Sequence, residues 1–315
     1  MKTSKAKFNL LLTGIALVAV GAISSCKKDS TTTLPKIGPY DNSNQVASAN
    51  LKAHWTFDGT NNETIAGTAP ITSVGASFVT GENGFGQALH LTNGYLLYPT
   101  IAALSTANAI SSVTVSLWIN VDNSGTAKAS SFFALTQPTT VQADWNKGPL
   151  NVYAENNKPL AYDDTLVLHS AFHLYTPLPA PGNYNIGGDN INDYGVRGTD
   201  FQTVLGTKKW VHYVMRYDGT GSFIDLFANG VRVSNNNFRF RGIGTPAVGI
   251  GPIVINTPTQ VVIGGWPNAD AGYLLSAVQP FQGLLTGSID NIRVFNTAML
   301  DSDIGYLYQL ELAGR

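Results

Sequence analysis

Carboxylates are the first side chains to test for chemistry, because glycoside hydrolysis usually needs two of them at a fixed separation. None of the glutamates has a second carboxylate two residues away on a strand-like run, the spacing that would place both acids on one sheet face. The aspartates of the central region stand in loop-like sequence, where acids are ordinarily solvated turn formers. The sequence therefore disfavours a hydrolase. These acids are Glu63, Glu82, Glu155, Glu311, Asp163, Asp164, Asp189 and Asp193.

A second chemical candidate is the pair His169 and His173 in "HSAFH", which has the i, i+4 spacing of zinc-binding helices. The glutamate of the H-E-x-x-H motif is absent, and the surrounding "TLVLHSAFHLY" is typical of a strand. Two partly exposed histidines on one sheet face are the better interpretation. The sequence also shows no Ser-His-Asp pattern with a nucleophile elbow.

Cys26 is the only cysteine, and it follows a basic start and an uncharged apolar run from Phe8 to Ile23. This layout is that of an export signal. The four residues 23–26, "ISSC", resemble the lipobox of bacterial lipoproteins, which implies that residues 1–25 are a signal peptide and that Cys26 is acylated. The alternative is an ordinary secretory signal followed by a free thiol. The lipobox interpretation predicts an outer-membrane lipid anchor, with the domain at the cell surface or facing the periplasm.

Composition indicates how the chain beyond Cys26 is organised and which partners it excludes. Residues 26–50 are rich in Ser, Thr, Asn and Pro, which predicts a flexible, disordered linker. The remaining chain, residues 51–315, is long enough for one large β domain. A net charge of -1 with scattered Lys and Arg argues against a nucleic-acid partner. With a single cysteine the fold cannot depend on disulfides within the domain, so its stability must come from an apolar core.

Several segments alternate apolar and polar residues in the manner of half-buried strands. They are "SVTVSLWINV" (112–121), "KKWVHYVMRYD" (208–218) and "SFIDLFANGVRV" (222–233). Asp218-Gly219 and Asn229-Gly230 separate apolar runs and favour tight hairpin turns. Short strands joined by such turns predict two packed antiparallel sheets.

Five segments in order resemble concanavalin A-like, laminin G-like jelly-roll domains. The resemblance implies an all-β, two-sheet antiparallel jelly-roll sandwich with buried Trp55, Trp118 and Trp210. Asp301–Asp303 precede "IGYLYQLEL" and predict a short capped helix that closes one edge, with Ile304, Leu307 and Tyr308 turned inward. The E-x-D-x-x-E pattern of jelly-roll hydrolases is absent. The segments are "AHWTFDGTNNET" (53–64), "GFGQALHLTNGYLLYP" (84–99), "SVTVSLWINVD" (112–122), "WVHYVMRYDGTGSFIDLFANGVRV" (210–233) and "FQGLLTGSIDNIRVFNTAMLDSDIGYLY" (281–308).

The same resemblance implies a structural Ca²⁺ between the loop after the first strand and the last strand. The matching positions are Asp58, Glu63 and Asp290. Calcium prefers six to eight oxygen ligands, which carboxylates, carbonyls and amides could supply. The alternative is that Asp58 is a turn residue and Asp290 a buried acceptor that ties two loops together.

A long insertion at about 139–206 interrupts the family pattern and is rich in Tyr, Asn and Asp. Flat aromatic rings pack on the apolar face of a sugar, while amides and carboxylates bond its hydroxyls. A second polar and aromatic loop spans residues 264–273. We predict that these two loops form a ligand-binding rim. Its candidate residues are Trp145, Tyr162, Tyr184, Tyr194, Trp266, Asn268 and Asp270.

Together these observations predict a lipid-anchored envelope protein whose non-catalytic jelly-roll domain binds a glycan or polysaccharide. A first alternative is an adhesion or structural protein that binds a protein partner. A second alternative is a divergent glycoside hydrolase or lyase.

Overall fold

The computed structural model describes residues 34–122, 128–146, 150–155, 164–176, 184–191, 203–234, 236–253, 255 and 257–315, with the backbone alone described for 172–176 and 184–191. The predicted signal peptide and Cys26 lie outside these residues. In the described part of the chain no helix has both the length and the apolar character to cross a bilayer.

The fold is mostly β, as predicted. The insertion at about 139–206 is not the long loop that was predicted, because its described residues contain four strands that pair with the sheet. The strands are β1 (Leu51–Trp55), β2 (Thr72–Thr80), β3 (Gln87–Leu97), β4 (Val113–Val121), β5 (Ala129–Thr136), β6 (Leu150–Glu155), β7 (Thr165–Thr176), β8 (Tyr184–Ile191), β9 (Val204–Leu205), β10 (Val211–Asp218), β11 (Phe223–Ala228), β12 (Val231–Arg232), β13 (Gly242–Ile243), β14 (Val248–Gly249), β15 (Gln260–Ile263), β16 (Gln282–Gly283) and β17 (Leu285–Phe295). The helices are α1 (Ala102–Ser105) and α2 (Asp301–Leu312), and short 3-10 turns cover Ser43–Gln45, Ser48–Asn50, Glu82–Gly84, Asn236–Phe238 and Ala269–Ala271.

The main sheet runs in the order β12-β11-β10-β4-β17-β3-β15-β5-β6-β7-β8, with β1, β2, β16 and β9 paired to β17, β3, β5 and β7. It curls so that its two halves face each other. The Tyr213 hydroxyl in β10 lies 2.8 Å from the Ser170 hydroxyl in β7, and the Tyr213 ring packs edge-on against Phe132 in β5. Alternate residues of each strand therefore meet in one apolar core, as expected for a sandwich.

The predicted hairpin from Lys208 to Val233 is present. β10 pairs antiparallel with β4 and β11, and β11 pairs with β12 across a two-residue turn. Asn229 and Gly230 form that turn with φ of 49° and 77°. Both angles are positive, which is the geometry that Asn-Gly favours because its twist matches the twist of the strands. Of the three predicted core tryptophans, Trp55 and Trp118 are buried and Trp210 is partly exposed.

Helix α2 covers the outer face of the half formed by β4, β10 and β17. Its residues Ile304 and Leu307 are buried, as predicted, and Tyr308 packs against Trp118 with ring centroids 5.8 Å apart. The N-cap is Leu300, which makes no capping hydrogen bond. Asp301 and Asp303 instead lie in the first turn, where their charge interacts favourably with the helix dipole.

Residues 36–50 pack on this same outer face, although the sequence assigns them to the linker. Val46 is 1% exposed and belongs to one cluster with Leu307 and Leu310. The Tyr40 hydroxyl donates to the Asp303 carboxylate at 2.9 Å. The folded domain therefore begins before Leu51, because a few apolar residues in a polar segment are enough to cover the edge of α2.

Candidate functional site

Five aromatic rings form a continuous row on the outer face of the other half of the sandwich. They come from β6, β7 and three connecting segments, so that only the folded chain brings them together. We call this set the aromatic row; its members are Trp145, Tyr153, His169, Trp266 and Phe281.

Strand pairing fixes the first two members of the row. Tyr153 in β6 stands directly opposite His169 in β7. Their rings stack with centroids 4.6 Å apart and an interplanar angle of 18°. The Glu155 carboxylate, on the same face of β6, lies 3.0 Å from His169 Nε2. A carboxylate thus stands beside the aromatic surface and is partly exposed.

Trp266 forms the base of the row. It is 1% exposed, and its indole N–H donates to the Ala129 carbonyl at 2.9 Å, which fixes the ring against the start of β5. The Tyr153 ring lies 4.9 Å from Trp266, and the Trp145 ring lies 5.6 Å from it in an edge-on arrangement. A buried and bonded indole holds the more exposed rings in place.

Trp145 and Phe281 form the outer end of the row. Their ring centroids are 5.4 Å apart. Phe281 is 38% exposed, and Trp145 is partly exposed. The turn that carries Trp145 is closed by the Asn146 N–H, which donates to the Asp144 carboxylate at 2.9 Å. The row therefore presents partly exposed ring surface on a rigid base, which is the form a sugar ring can pack against.

Some of the predicted rim residues are buried in the structure and others are exposed. Trp145 and Trp266, predicted from two different loops, are in contact. Trp266 and Asn268 are each 1% exposed, so in this structure they support the site and cannot reach a ligand. The Asn268 amide donates to Gln282 Oε1 at 2.6 Å, and its oxygen accepts the Asp270 N–H. Asp270 is exposed on the same loop.

The remaining predicted rim residues lie outside the part of the chain that the structure describes in full. Tyr162 and Tyr194 are not among the described residues, and Tyr184 begins β8 with only its backbone described. The predicted rim did not include His169, Glu155 or Phe281, whereas Tyr153 lies in the insertion that was expected to supply the rim. The pairing of His169 with Tyr153 could not be read from spacing, because it depends on the register between two strands.

His169 and His173 both lie on β7, as the strand interpretation predicted. His169 is buried, not partly exposed as predicted, and is engaged with Tyr153 and Glu155. Among the described residues no group of three or more His, Cys, Asp or Glu side chains is placed to hold a metal ion.

A second candidate site is a polar cavity of about 230 Å³ between β1, the Glu82–Gly84 turn, β17 and the end of α2. Asp58, Glu82 and Asp290 line it. Glu63, the third predicted calcium ligand, does not, because its carboxylate accepts the N–H groups of His54, Ile65 and Ala66. The predicted ligand set is therefore not assembled as the resemblance implied.

Irregular backbone positions leave space in the cavity for the carboxylates of Asp58 and Asp290, the two predicted ligands that line it. β17 bulges after Asp290, where Asn291 has φ of 46°. A β-carbon at Gly81 would lie 2.7 Å from Asp290 Oδ2, and one at Gly86 would collide with the Asp58 carboxylate. Only glycine leaves this space.

Two buried acids, Glu82 and Asp290, lie close together in this cavity. Burial and the neighbouring Glu82 carboxyl raise the pKa of Asp290 to about 10. Glu82 Oε2 is buried without a hydrogen-bond partner. An orphaned carboxylate oxygen beside a second acid is a donor set that suits a hard cation.

A buried Ser-His-Glu arrangement also exists under α2, although the sequence showed no such pattern. Ser116 Oγ lies 2.8 Å from His212 Nε2, and Glu311 Oε2 lies 3.6 Å from the same nitrogen. In a hydrolytic triad the serine and the acid contact opposite ring nitrogens. Ser116 and His212 are also fully buried, so this set cannot act on a substrate.

Its role is structural. Glu311 accepts the Trp118 indole N–H and the Arg293 Nε–H, each at 2.8 Å. Burial, together with the nearby Arg293 charge, lowers the pKa of His212 to about 3. The imidazole is therefore neutral near pH 7, and its 3.6 Å contact with Glu311 is not an ion pair.

The fold is similar to solved binding domains of bacterial toxins. The receptor binding domain of a botulinum neurotoxin C/D mosaic serotype has a TM-score of 0.51 and 12% identity, covering 83% of this chain and 51% of that chain. The botulinum neurotoxin serotype D ligand binding domain, in complex with N-acetylneuraminic acid, has a TM-score of 0.50 and 10% identity, covering 85% of this chain and 52% of that one. The protein thus spans about half the length of these toxin domains.

Domain 4 of AbnA, a GH43 extracellular arabinanase from Geobacillus stearothermophilus, in complex with arabinotriose, covers 82% of this chain and 98% of its own at 17% identity, with a TM-score of 0.46. No protein-family model matches the sequence, and the search of curated proteins finds no match. At these identities the similarity shows the fold alone.

Proposed function

We propose that this protein is a non-catalytic glycan-binding domain and that the aromatic row is its binding surface. The observation that carries the proposal is the set of partly exposed rings of Trp145, Tyr153 and Phe281, held by the buried indole of Trp266. A pyranose ring packs its apolar face on such rings, and the Glu155 carboxylate beside them can accept sugar hydroxyls.

The comparisons support this proposal at the level of the fold. The toxin domain of serotype D was solved in complex with N-acetylneuraminic acid, and this chain matches about half of it, so a similar fold occurs within a sugar-binding domain. The proposed contact residues are those of the aromatic row in this chain.

Affinity electrophoresis in gels cast with a panel of polysaccharides tests the proposal. We expect at least one polysaccharide to retard the wild-type protein. Phe281→Ala should weaken that retardation by about tenfold in affinity, since exposed aromatic anchors commonly contribute more than ~1 kcal/mol to binding. Phe238→Ala is a matched control, because Phe238 is 37% exposed and Phe281 is 38% exposed but the two lie in different loops.

Two results would contradict the proposal. If no polysaccharide retards the protein, or if Phe281→Ala and Trp145→Ala migrate like the wild type, the aromatic row is not a glycan site. Release of reducing ends from a retarding polysaccharide would show that the domain is an enzyme.

We further propose that Cys26 carries a lipid anchor in the outer membrane and that the polar cavity holds a structural Ca²⁺. The lipobox-like residues 23–26 support the anchor. For calcium, Glu82 and Asp290 would supply the carboxylate ligands, with Glu82 in place of the predicted Glu63, and carbonyl or amide oxygens of the cavity lining would complete the set.

A further inference from the structure

One tight turn of the domain carries two leucines at its corners. The Ser276 N–H donates to the Tyr273 carbonyl at 2.9 Å, so Leu274 and Leu275 are the two central residues of a β-turn. Leu274 is 81% exposed and Leu275 is 59% exposed. Central turn positions favour Gly, Asn, Asp, Pro and Ser, which hydrogen-bond locally or relieve backbone strain. Two leucines there are not explained by turn formation.

The turn is rigidly held on the domain. Tyr273 and Ser276, on either side of the leucines, are fully buried. The Tyr273 N–H donates to the Asn268 carbonyl at 3.0 Å, and the Ala269 N–H donates to the Ser276 carbonyl at 2.9 Å. The leucines therefore cannot turn inward to the core without breaking these bonds. The fold therefore holds both leucine side chains in solvent.

The segment that carries the turn has no charged side chain. No Asp, Glu, Lys, Arg or His occurs from residue 271 to residue 289. Val278 and Phe281, further along the loop, are 36% and 38% exposed. The nearest exposed charge before the turn is Asp270, and exposed Lys128 packs against Gly283 beyond it. A partner can thus bury the turn without desolvating a charge.

We propose that the Leu274–Leu275 turn inserts into the interfacial region of a lipid membrane. A projecting corner of two leucines is too small for a specific protein interface, which needs about 800 Å² on each partner. A lipid surface needs no matching shape and accepts apolar side chains as they project. Asp270 limits the depth of insertion, because its carboxylate must stay in water. Lys128 favours anionic headgroups.

This inference does not rest on the proposed glycan site. Phe281 belongs to the same loop and also to the aromatic row, so a membrane contact at the turn would bring that row close to the lipid surface.

An environment-sensitive fluorophore attached at Leu275→Cys in the full chain tests the proposal. The protein is bound to vesicles of phosphatidylcholine and phosphatidylglycerol in equal parts. The matched control is Val248→Cys, since Val248 is 70% exposed in the short β13–β14 hairpin. Mass spectrometry of each labelled protein establishes whether Cys26 also reacts.

We expect the label at position 275 to shift to the blue and to be quenched by lipids carrying a spin label near the headgroup. The label at position 248 should do neither. Adding Leu274→Ser to the Leu275→Cys protein should reduce the quenching several-fold, because a buried leucine contributes strongly to partitioning.

Equal emission at positions 275 and 248 in the presence of vesicles would overturn the proposal. A blue shift at position 275 without vesicles that disappears on dilution would also overturn it, because the turn would then bind a second copy of the chain. Loss of glycan retardation leaves this measurement unaffected.

Discussion

At the scale of single residues, polar groups buried under α2 hold the helix on the sheet by hydrogen bonds. Glu311 joins Trp118 and Arg293, while His212 stays neutral beside them. A Ser-His-Glu set that resembles a catalytic device is therefore part of the packing between a helix and a sheet. Its burial and its geometry at one ring nitrogen exclude catalysis.

The neutral state of His212 predicts a pH dependence of stability. Its pKa is about 3 in the folded protein and about 6.5 in an unfolded chain, so between these values the unfolded state binds more protons. Stability from this group is complete above the unfolded value and is lost as the pH falls. The pKa of His54 is lowered in the same way, to about 3, by burial and by Arg293.

Urea denaturation of the wild type and His212→Gln between pH 7 and pH 4.5 isolates this effect. We expect the free energy of unfolding of the wild type, relative to the variant, to fall by about 1.4 kcal/mol for each pH unit below 6.5. Asp290, whose raised pKa acts in the opposite direction, is present in both proteins, so the comparison removes its contribution. A difference that does not vary with pH would show that His212 is not held neutral.

The acids of the polar cavity predict a response to chelation. Because an ion bound only to the folded state stabilises it, excess chelator should lower the melting temperature of the wild type by several degrees. Asp290→Asn should abolish most of this response, while Asp270→Asn, which changes an exposed carboxylate elsewhere, should retain it. Identical melting curves with and without chelator would show that no bound calcium ion stabilises the domain.

At the scale of elements, α2 and residues 36–50 form one cover on the sheet. Arg293 in β17 donates to Asn44 Oδ1 at 2.9 Å and to Ser43 Oγ at 3.1 Å, and the Ser43 N–H donates to the carbonyl of Arg315 at 3.0 Å. The two ends of the described domain are thus bonded to each other and to a central strand. Neither end is expected to fold without the other.

Val46→Ala measures this coupling. We expect it to lower the free energy of unfolding by about 1 to 3 kcal/mol, because Val46 is 1% exposed among apolar neighbours. Val248→Ala is the matched control, since Val248 is 70% exposed and should change stability by less than about 0.5 kcal/mol. Equal denaturation midpoints for the two variants would mean that residues 36–50 are a flexible linker after all.

At the scale of the whole molecule, a curled sheet carries different surfaces on its two outer faces. One face is covered by α2 and residues 36–50, with the polar cavity at the edge of this cover. The other face carries the aromatic row and the leucine turn. The packing of α2 and residues 36–50 and the proposed binding surfaces therefore lie on different faces. Binding at the aromatic row or the leucine turn does not disturb the packing that stabilises the fold.

The proposed lipid anchor belongs to this scale, because it would fix the whole domain at a membrane. Cys26→Ala should leave the protein unprocessed or move it to the aqueous fraction of a cell lysate, since no other thiol can be acylated. Ser25→Ala keeps the thiol and a small neighbour and should fractionate normally. Membrane fractionation of Cys26→Ala like that of the wild type would exclude the anchor.

The sequence by itself determined the fold class, because the alternation of apolar residues and the Asn-Gly turn are local signals that the sandwich preserves. It also indicated that Trp145 and Trp266 belong to one region. It could not place Tyr153 beside His169, exchange Glu63 for Glu82 in the polar cavity, or bury Asn268, because each depends on strand register or on contacts between distant segments. Only the tertiary structure decides which side chains are in contact and which are buried, since both depend on neighbours that lie far away along the chain.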